Sequence, residues 1–456
     1  MSASSAPASV INVDEVLSER RLSAFTALLV AILSIALITD GFDVVVLGVL
    51  APAVSAEFGL SRIEIGWFLT LAHVGVAVGG IIGGLTGDRF GRRLVLLVSV
   101  AGFGIGTLAC AALSDPLSFV IARFVASIFM GAAAPNIATY LVEILPRQLN
   151  SRLSVLAYAA YALGSLLCSL AARALLPIAD WRVIFAIGGA VPLLLLTPLL
   201  FWLLPESPRF LVIAGRPSEE IAGTMRRLCG DSVAFVRNAR FILNTSAHDG
   251  AAPKSFVATA RAHVRSVATL SLFALLVYFT SISMSSMSTT ILTSIGLPLT
   301  DAVSILLALN VGGLIGALLA AFTIERFGSK PTLLALLTCA VICLGILSFV
   351  SADAETAQVP ILTVLYALAG FGLTSALMIL YPLSAQAFPT QVRSTLTGGI
   401  ASVGRIGSIA SSAVVAMLLV AGGAMTAFAG VTAATAVAIV AVLAFNRHMR
   451  PVDARQ

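Results

Sequence analysis

Four ionisable side chains stand inside long apolar runs: Asp40, Asp43, Arg123 and Arg405. A charge taken out of water costs at least a few kcal/mol, so each needs a reason to be there. Asp40 and Asp43 are three residues apart and share one face of a helix. Two carboxylates that close cannot both carry charge cheaply in a medium of low dielectric, which suits at least one of them to taking up and releasing a proton. The plainer reading is that one Asp pairs with Arg123 or caps a kink beside Gly41. The planar fork of arginine matches a carboxylate in bidentate geometry. Arg405 is therefore the first candidate to hold the carboxylate of an anionic solute, and Arg123 an ion-pair switch against the acidic pair. For each arginine the plainer reading is a static salt bridge between helices.

Around these four lie weaker candidates. Asn136, Tyr366 and Tyr381 are polar side chains within apolar runs and are expected to line a solute site, although Tyr and Asn serve equally to bond neighbouring helices. Asp88, Arg92, Glu143, Arg152, Glu325 and Arg393 gather at the ends of apolar runs and are expected to act as a gate. Glu143 and Arg152 can pair with Arg92, Arg93 and Asp88, a cytoplasmic latch that would hold the outward-facing state. His73, a lone histidine in an apolar run, reads as packing rather than a proton relay. The five cysteines form no CxxC pair, and no His cluster accompanies them, so no metal site is expected. The glycine runs follow no strand and lead to no P-loop lysine, so neither nucleotide binding nor any other cofactor is expected. No nucleophile–base pair suggests an enzyme.

The elements that must position these residues follow from composition. Of 456 residues, 59% are hydrophobic and only 11% charged, with a mean hydropathy of +1.04. A soluble domain carries about a quarter charged residues. Lipid is the solvent such a chain fits, and its net charge of +6 is no sign of nucleic acid. Apolar runs long enough to span occur at 24–53, 64–86, 93–113, 116–142, 152–174, 182–204, 266–293, 301–323, 331–350, 359–385, 394–419 and 424–446. The expected fold is an all-α membrane protein of twelve transmembrane helices. With both termini in the cytoplasm, 22 of the 27 Arg and Lys residues fall on the inner side, as membrane proteins prefer. The chain then divides into an N-terminal tail (1–23), a six-helix bundle (24–205), a cytoplasmic linker (206–265), a second bundle (266–446) and a short tail (447–456). Pro217-Ser218-Glu219-Glu220 marks a helix start within the linker. No removable signal peptide is read before the first span.

The halves repeat. A shift of 243 residues lays Pro146, Gln148, Ser151, Leu153, Gly164 and Ser165 on Pro389, Gln391, Ser394, Leu396, Gly407 and Ser408. Asp88-Arg89-Phe90-Gly91 is echoed by Glu325-Arg326-Phe327-Gly328. Two parallel six-helix bundles imply a twofold pseudo-axis along the membrane normal, with a solute site at their interface. The same shift puts Ala162 under Arg405 and Tyr366 under Arg123, so the repeat itself does not require the two arginines.

Gly83-Gly84-Leu85-Thr86-Gly87-Asp88-Arg89-Phe90-Gly91-Arg92-Arg93 resembles the signature loop of the major facilitator superfamily. Pro205-Glu206-Ser207-Pro208-Arg209 is similar to a motif of its sugar and organic-acid porters. Asp40-Gly41-Phe42-Asp43, Arg123 with Gly131-Ala132-Ala133-Ala134-Pro135-Asn136, and Gly404-Arg405-Ile406-Gly407 resemble the aromatic acid/proton symporter family. One stretch departs from that pattern: residues 278–288 are rich in Ser and poor in aromatics. The resemblance implies a monomer in the cell inner membrane that imports an organic anion, such as benzoate or a hydroxybenzoate, with protons. The proton gradient is its only energy source. The alternatives are a proton antiporter exporting drugs or other metabolites, and a symporter of a non-aromatic organic acid or sugar acid. A membrane-bound sensor would want an output domain larger than 206–265 provides.

Overall fold

In a computed structural model of the chain, residues 10–20, 22–229, 240–243, 264–351, 358–388, 393–446 and 448 are described. Within them, 147–159, 321, 325, 381, 382, 385 and 393–395 are described by backbone alone. A strand β1 (Val10–Asn12) and a short helix α1 (Val13–Glu19) precede the first long helix. The first long set is α2 (Ala24–Phe58), α3 (Arg62–Phe90), α4 (Arg92–Ala112), α5 (Pro116–Ile144), α6 (Arg147–Leu175) and α7 (Trp181–Leu203). Two small helices, α8 (Pro208–Ile213) and α9 (Ser218–Cys229), and a strand β2 (Arg240–Ile242) follow. The second long set is α10 (Val264–Ser294), α11 (Leu299–Phe327), α12 (Ser329–Val350), α13 (Val359–Ala387) and α14 (Arg393–Ala444).

Ten stretches are long and apolar enough to cross a membrane. The last of these is two crossings in one: α14 breaks at Gly422 and Gly423, whose φ of 72° no side-chain-bearing residue adopts readily. With α6, whose first residues are described by backbone alone, the crossings among the described residues number twelve. Their ends are set by local chemistry. Ser61 and Glu64 close a capping box at the start of α3. Asp115 caps α5, with Pro116 in the first turn. Gly59, at φ 65°, stops α2. Gly91 and Gly328 turn the chain at φ 94° and 82° at matching places in the two halves.

The repeat read in the sequence is realised in packing. Gly164 of α6 lies against the Ile38 backbone of α2, and its counterpart Gly407 of α14 against the Leu275 backbone of α10. In both cases an added Cβ would sit 2.0 Å from a carbonyl oxygen. Such small residues let membrane helices approach at backbone distance.

Because α2 starts and α14 ends at the same face, that face is called the tail side. On the far side, one apolar cluster runs through both halves, from Val45, Leu50, Leu69 and Phe119 to Met287, Ile291, Leu306, Leu365 and Leu419. On the tail side each half has its own cluster: Leu29, Leu96, Ile137 and Leu200 in one, Phe273, Leu337, Leu380 and Phe445 in the other. The halves are therefore joined on the far side and parted on the tail side among the described residues.

The tail-side cap of the first half was not legible beforehand. β1 pairs in parallel with β2, Val10 to Arg240 and Asn12 to Ile242. Val13 and Leu17 of α1 pack with Leu211, Ile221, Met225 and Phe241 on that half alone. Arg209 Nε donates to Asp14 Oδ1 at 2.7 Å, tying α8 to α1. α9 begins at Ser218 with Glu219 and Glu220 in its first turn, where the sequence set a helix start.

Candidate functional site

α2 carries both carboxylates, but their surroundings differ. Asp43 is fully buried, and its partner Arg123 is 2% exposed. Arg123 Nη1 meets both carboxylate oxygens, at 2.8 Å and 2.7 Å, while Nη2 donates to the Asp43 carbonyl at 2.7 Å. Thr107 Oγ1 of α4 adds a bond to Asp43 Oδ1 at 3.0 Å. Three helices thus close on one ion pair, and the pair neutralises itself. Asp40 is only half-buried, and lies within electrostatic reach of Asp43 and of Arg405 from the other half.

Arg405 sits on the first arm of α14, about 18 Å along the helix from its start. It is half-buried. Its Nη1 donates to the Val76 carbonyl of α3 at 3.3 Å, a long bond to a neutral acceptor. A guanidinium carries five N–H donors. The side chain therefore retains capacity for an anion at the seam between the halves.

Other candidates fall elsewhere. The Asn136 amide donates to the Gly83 carbonyl at 2.8 Å and to Ala132 at 2.9 Å, binding α5 to α3. Tyr366 is fully buried against Phe428, in the cluster that joins the halves. His73 Nδ1 bonds the Leu69 carbonyl at 2.7 Å on its own helix. The side chains of Tyr381, Arg152, Glu325 and Arg393 lie outside the described residues.

Three of the gate residues, Asp88, Arg92 and Glu143, pair within one half. Arg92 meets Asp88 at 2.9 Å and Glu143 at 3.3 Å, and also donates to the Gly87 carbonyl. All four belong to α3, α4 and α5 of one half. This part of the expected latch is present while the tail side is parted; its other member, the Arg152 side chain, lies outside the described residues.

Sequence reasoning missed the keystone of this corner. Glu206 accepts from the Arg92 N–H at 2.9 Å, the Arg93 N–H at 3.3 Å and the Ser207 N–H at 2.8 Å. Its carboxylate caps α4, whose N-terminus otherwise has no side-chain cap. Gly91 makes room for it, since a Cβ there would lie 2.2 Å from Glu206 Oε2. Burial pushes the Glu206 carboxyl above its ordinary value, and the backbone N–H groups oppose this. The motif Pro205-Glu206-Ser207-Pro208-Arg209 was visible, but nothing in spacing links Glu206 to a helix start more than a hundred residues earlier. Among the described residues, no three His, Cys, Asp or Glu side chains converge on a metal position.

This arrangement can hold an anion at a seam, carry a proton on one carboxylate, and rock about a far-side contact. Known proteins of similar sequence share its scaffold. The family model described as Major Facilitator Superfamily matches residues 33–409. The gallate transporter of Pseudomonas putida is 32% identical over 418 residues, covering 90% of each chain. The 4-hydroxybenzoate transporter of Acinetobacter baylyi is 28% identical over 416 residues, covering 90% of this chain and 89% of that one. Among solved structures, the xylose transporter of Escherichia coli in its inward open conformation matches with a TM-score of 0.72 at 19% identity. That match covers 94% of this chain and 99% of the other, and at such identity it speaks for the fold alone. On the family match and the 32% relative together, the chain belongs to the major facilitator superfamily, a family of transporters rather than enzymes.

Proposed function

We propose that the chain is a proton-coupled symporter that takes up an aromatic carboxylate across the cell inner membrane by alternating access. The carrying observation is the division of labour among the four charges within the long helices, two buried and two half-buried. Asp43 and Arg123 neutralise each other's charge, which leaves half-buried Asp40 and half-buried Arg405 at the seam between halves. The names of the relatives, which transport gallate, 4-hydroxybenzoate and benzoate, support the substrate class.

In this reading the tail side is cytoplasmic, the bundles are 24–205 and 266–446 about the linker 206–265, and the protein works as a monomer without a cofactor. Asp40 takes a proton from the periplasm, the anion docks on Arg405, and the paired charges permit the halves to rock. Asp43 and Arg123 anchor α2 to α5 through the cycle. Asn136 and Tyr366 serve packing. Glu206, Arg92, Asp88 and Glu143 brace one half at its cytoplasmic end. With one proton carried per monovalent anion no net charge crosses, so the driving force is the proton concentration difference, about 1.4 kcal/mol per pH unit.

The test is uptake of labelled gallate, 4-hydroxybenzoate and benzoate into proteoliposomes under an imposed inward proton gradient. Gradient-driven accumulation of one of them, lost in Asp40→Asn and in Arg405→Ala, is the expected result. Proton-driven efflux of other cargo, with no accumulation of any carboxylate, would overturn the reading.

A further inference from the structure

We propose that Gly80 is a positioning residue: it seats the Arg405 guanidinium on the Val76 carbonyl, and the substrate carboxylate competes with this seat. The inference rests on the reading of Arg405 as the carboxylate ligand, and goes on to say where that ligand waits and what its release does.

The geometry is specific. A Cβ built on Gly80 would lie 2.3 Å from Arg405 Nη1, 3.2 Å from Cζ and 3.4 Å from Nη2. The Nη1 edge of the guanidinium therefore presses on the bare backbone of α3, filling the space any other residue would occupy. One turn earlier, the Val76 carbonyl receives Nη1 at 3.3 Å. Gly84, one turn later on the same helix, has nothing within 4 Å of such a Cβ. The lack of a side chain matters at 80 and not at 84, although both lie in the same glycine-rich run.

The seat bridges the halves, because Val76 and Gly80 belong to α3 and Arg405 to α14. A neutral carbonyl at that distance is a weak partner for a cation, and a carboxylate is a stronger one. An arriving anion therefore draws the guanidinium off α3 and breaks a mid-depth bond between the halves. Binding is coupled to separation of the seam by the exchange of one acceptor for another. When the anion leaves, the seat recaptures the arginine and the seam closes again.

A methyl group at position 80 denies the seat. The guanidinium then waits unbound, so the carboxylate no longer competes and binds more tightly. The empty carrier loses its closing contact, so turnover slows. Gly80→Ala is expected to lower KM and the maximal rate together, each by about three- to tenfold. General damage to the fold would slow turnover without tightening binding.

The experiment uses the full chain in proteoliposomes with whichever of labelled gallate, 4-hydroxybenzoate or benzoate the unmodified protein accumulates. Equilibrium binding in detergent is measured alongside. Gly84→Ala is the control, and is expected to match the unmodified protein. Gly80→Ser repeats the steric test should Gly80→Ala fail to reconstitute. Benzamide, which lacks the charge, is expected to compete equally well with Gly80→Ala and the unmodified protein. A KM for Gly80→Ala that is unchanged or raised overturns the seat. So does tightening that extends equally to benzamide. Arg405→Ala separates the two ideas: undiminished carboxylate affinity there overturns the ligand assignment itself, whereas lost affinity there beside an unaltered Gly80→Ala overturns only the seat.

Discussion

At the scale of single residues, two aspartates three positions apart on one helix face have been given different surroundings. Asp43 is closed off with Arg123, while Asp40 remains half-open. Their amide variants should therefore fail in different ways. Asp43→Asn leaves the Arg123 guanidinium buried without its counter-charge. The expected cost is about 3–5 kcal/mol of stability, seen as a large drop in the thermal midpoint of the detergent-solubilised protein. Asp40→Asn leaves that pair untouched. It should keep the midpoint and substrate counterflow but lose accumulation driven by a proton gradient. If Asp40→Asn destabilises the protein and Asp43→Asn alone abolishes coupling, the assignments are reversed. Asn136 gives a third contrast. Asn136→Leu loses the bond that ties α5 to α3, together with one within α5, and should cost about 1–3 kcal/mol of stability, while the fraction that folds keeps its KM. A raised KM would return Asn136 to the solute site.

At the scale of elements, what the sequence disclosed depended on whether the signal was local. The twelve crossings were legible because each is a self-contained apolar run, and even the break between the last two lies at a visible Gly422-Gly423. The α9 start was legible from its own first turn. Pairings between distant segments were not. The chain before Ala24 is short and polar, and nothing in Val10-Ile11-Asn12 announces a strand that needs Arg240-Phe241-Ile242 to complete it. The four charges within the long helices were found as charges, since apolar neighbours made them conspicuous. Which Asp would take Arg123 was left open, because the answer depends on how α2 faces α5 and on Thr107 of α4. Glu206 belongs to the same class: its partners are the backbone N–H groups of another element, which leave no side-chain signature. Its role is open to test. Glu206→Ala removes the cap of α4 and should lower stability by about 1–2 kcal/mol, with Glu206→Gln, which keeps an acceptor, falling between it and the unmodified protein. Equal midpoints for Glu206→Ala and the unmodified protein would mean that water caps α4 just as well.

At the scale of the whole molecule, the two halves touch where side chains have been trimmed. On the far side Gly48 of α2 meets α10 so closely that a Cβ would lie 2.6 Å from Ser286 Cα and 2.8 Å from its carbonyl oxygen. Thr289 Oγ1 of α10 donates to the Gly48 carbonyl at 2.5 Å. A second close approach joins Gly66 of α3 to Ala416 of α14, with a built Cβ 2.5 Å from that methyl. Between these points and Arg405 runs the seam that must part for the far side to open. Backbone cannot yield as a flexible side chain does, so a large residue at 48 opposes closure directly. Gly48→Leu should hold the far side apart and shift the population toward the opposite state. A Ser286→Cys reporter, in a background with Cys339 replaced, should then react faster with a membrane-impermeant thiol reagent from the far side. Substrate should still bind, while net transport is lost because the carrier cannot complete its cycle. Unchanged labelling with normal transport would show that the α2–α10 contact is a packing surface that the cycle never separates.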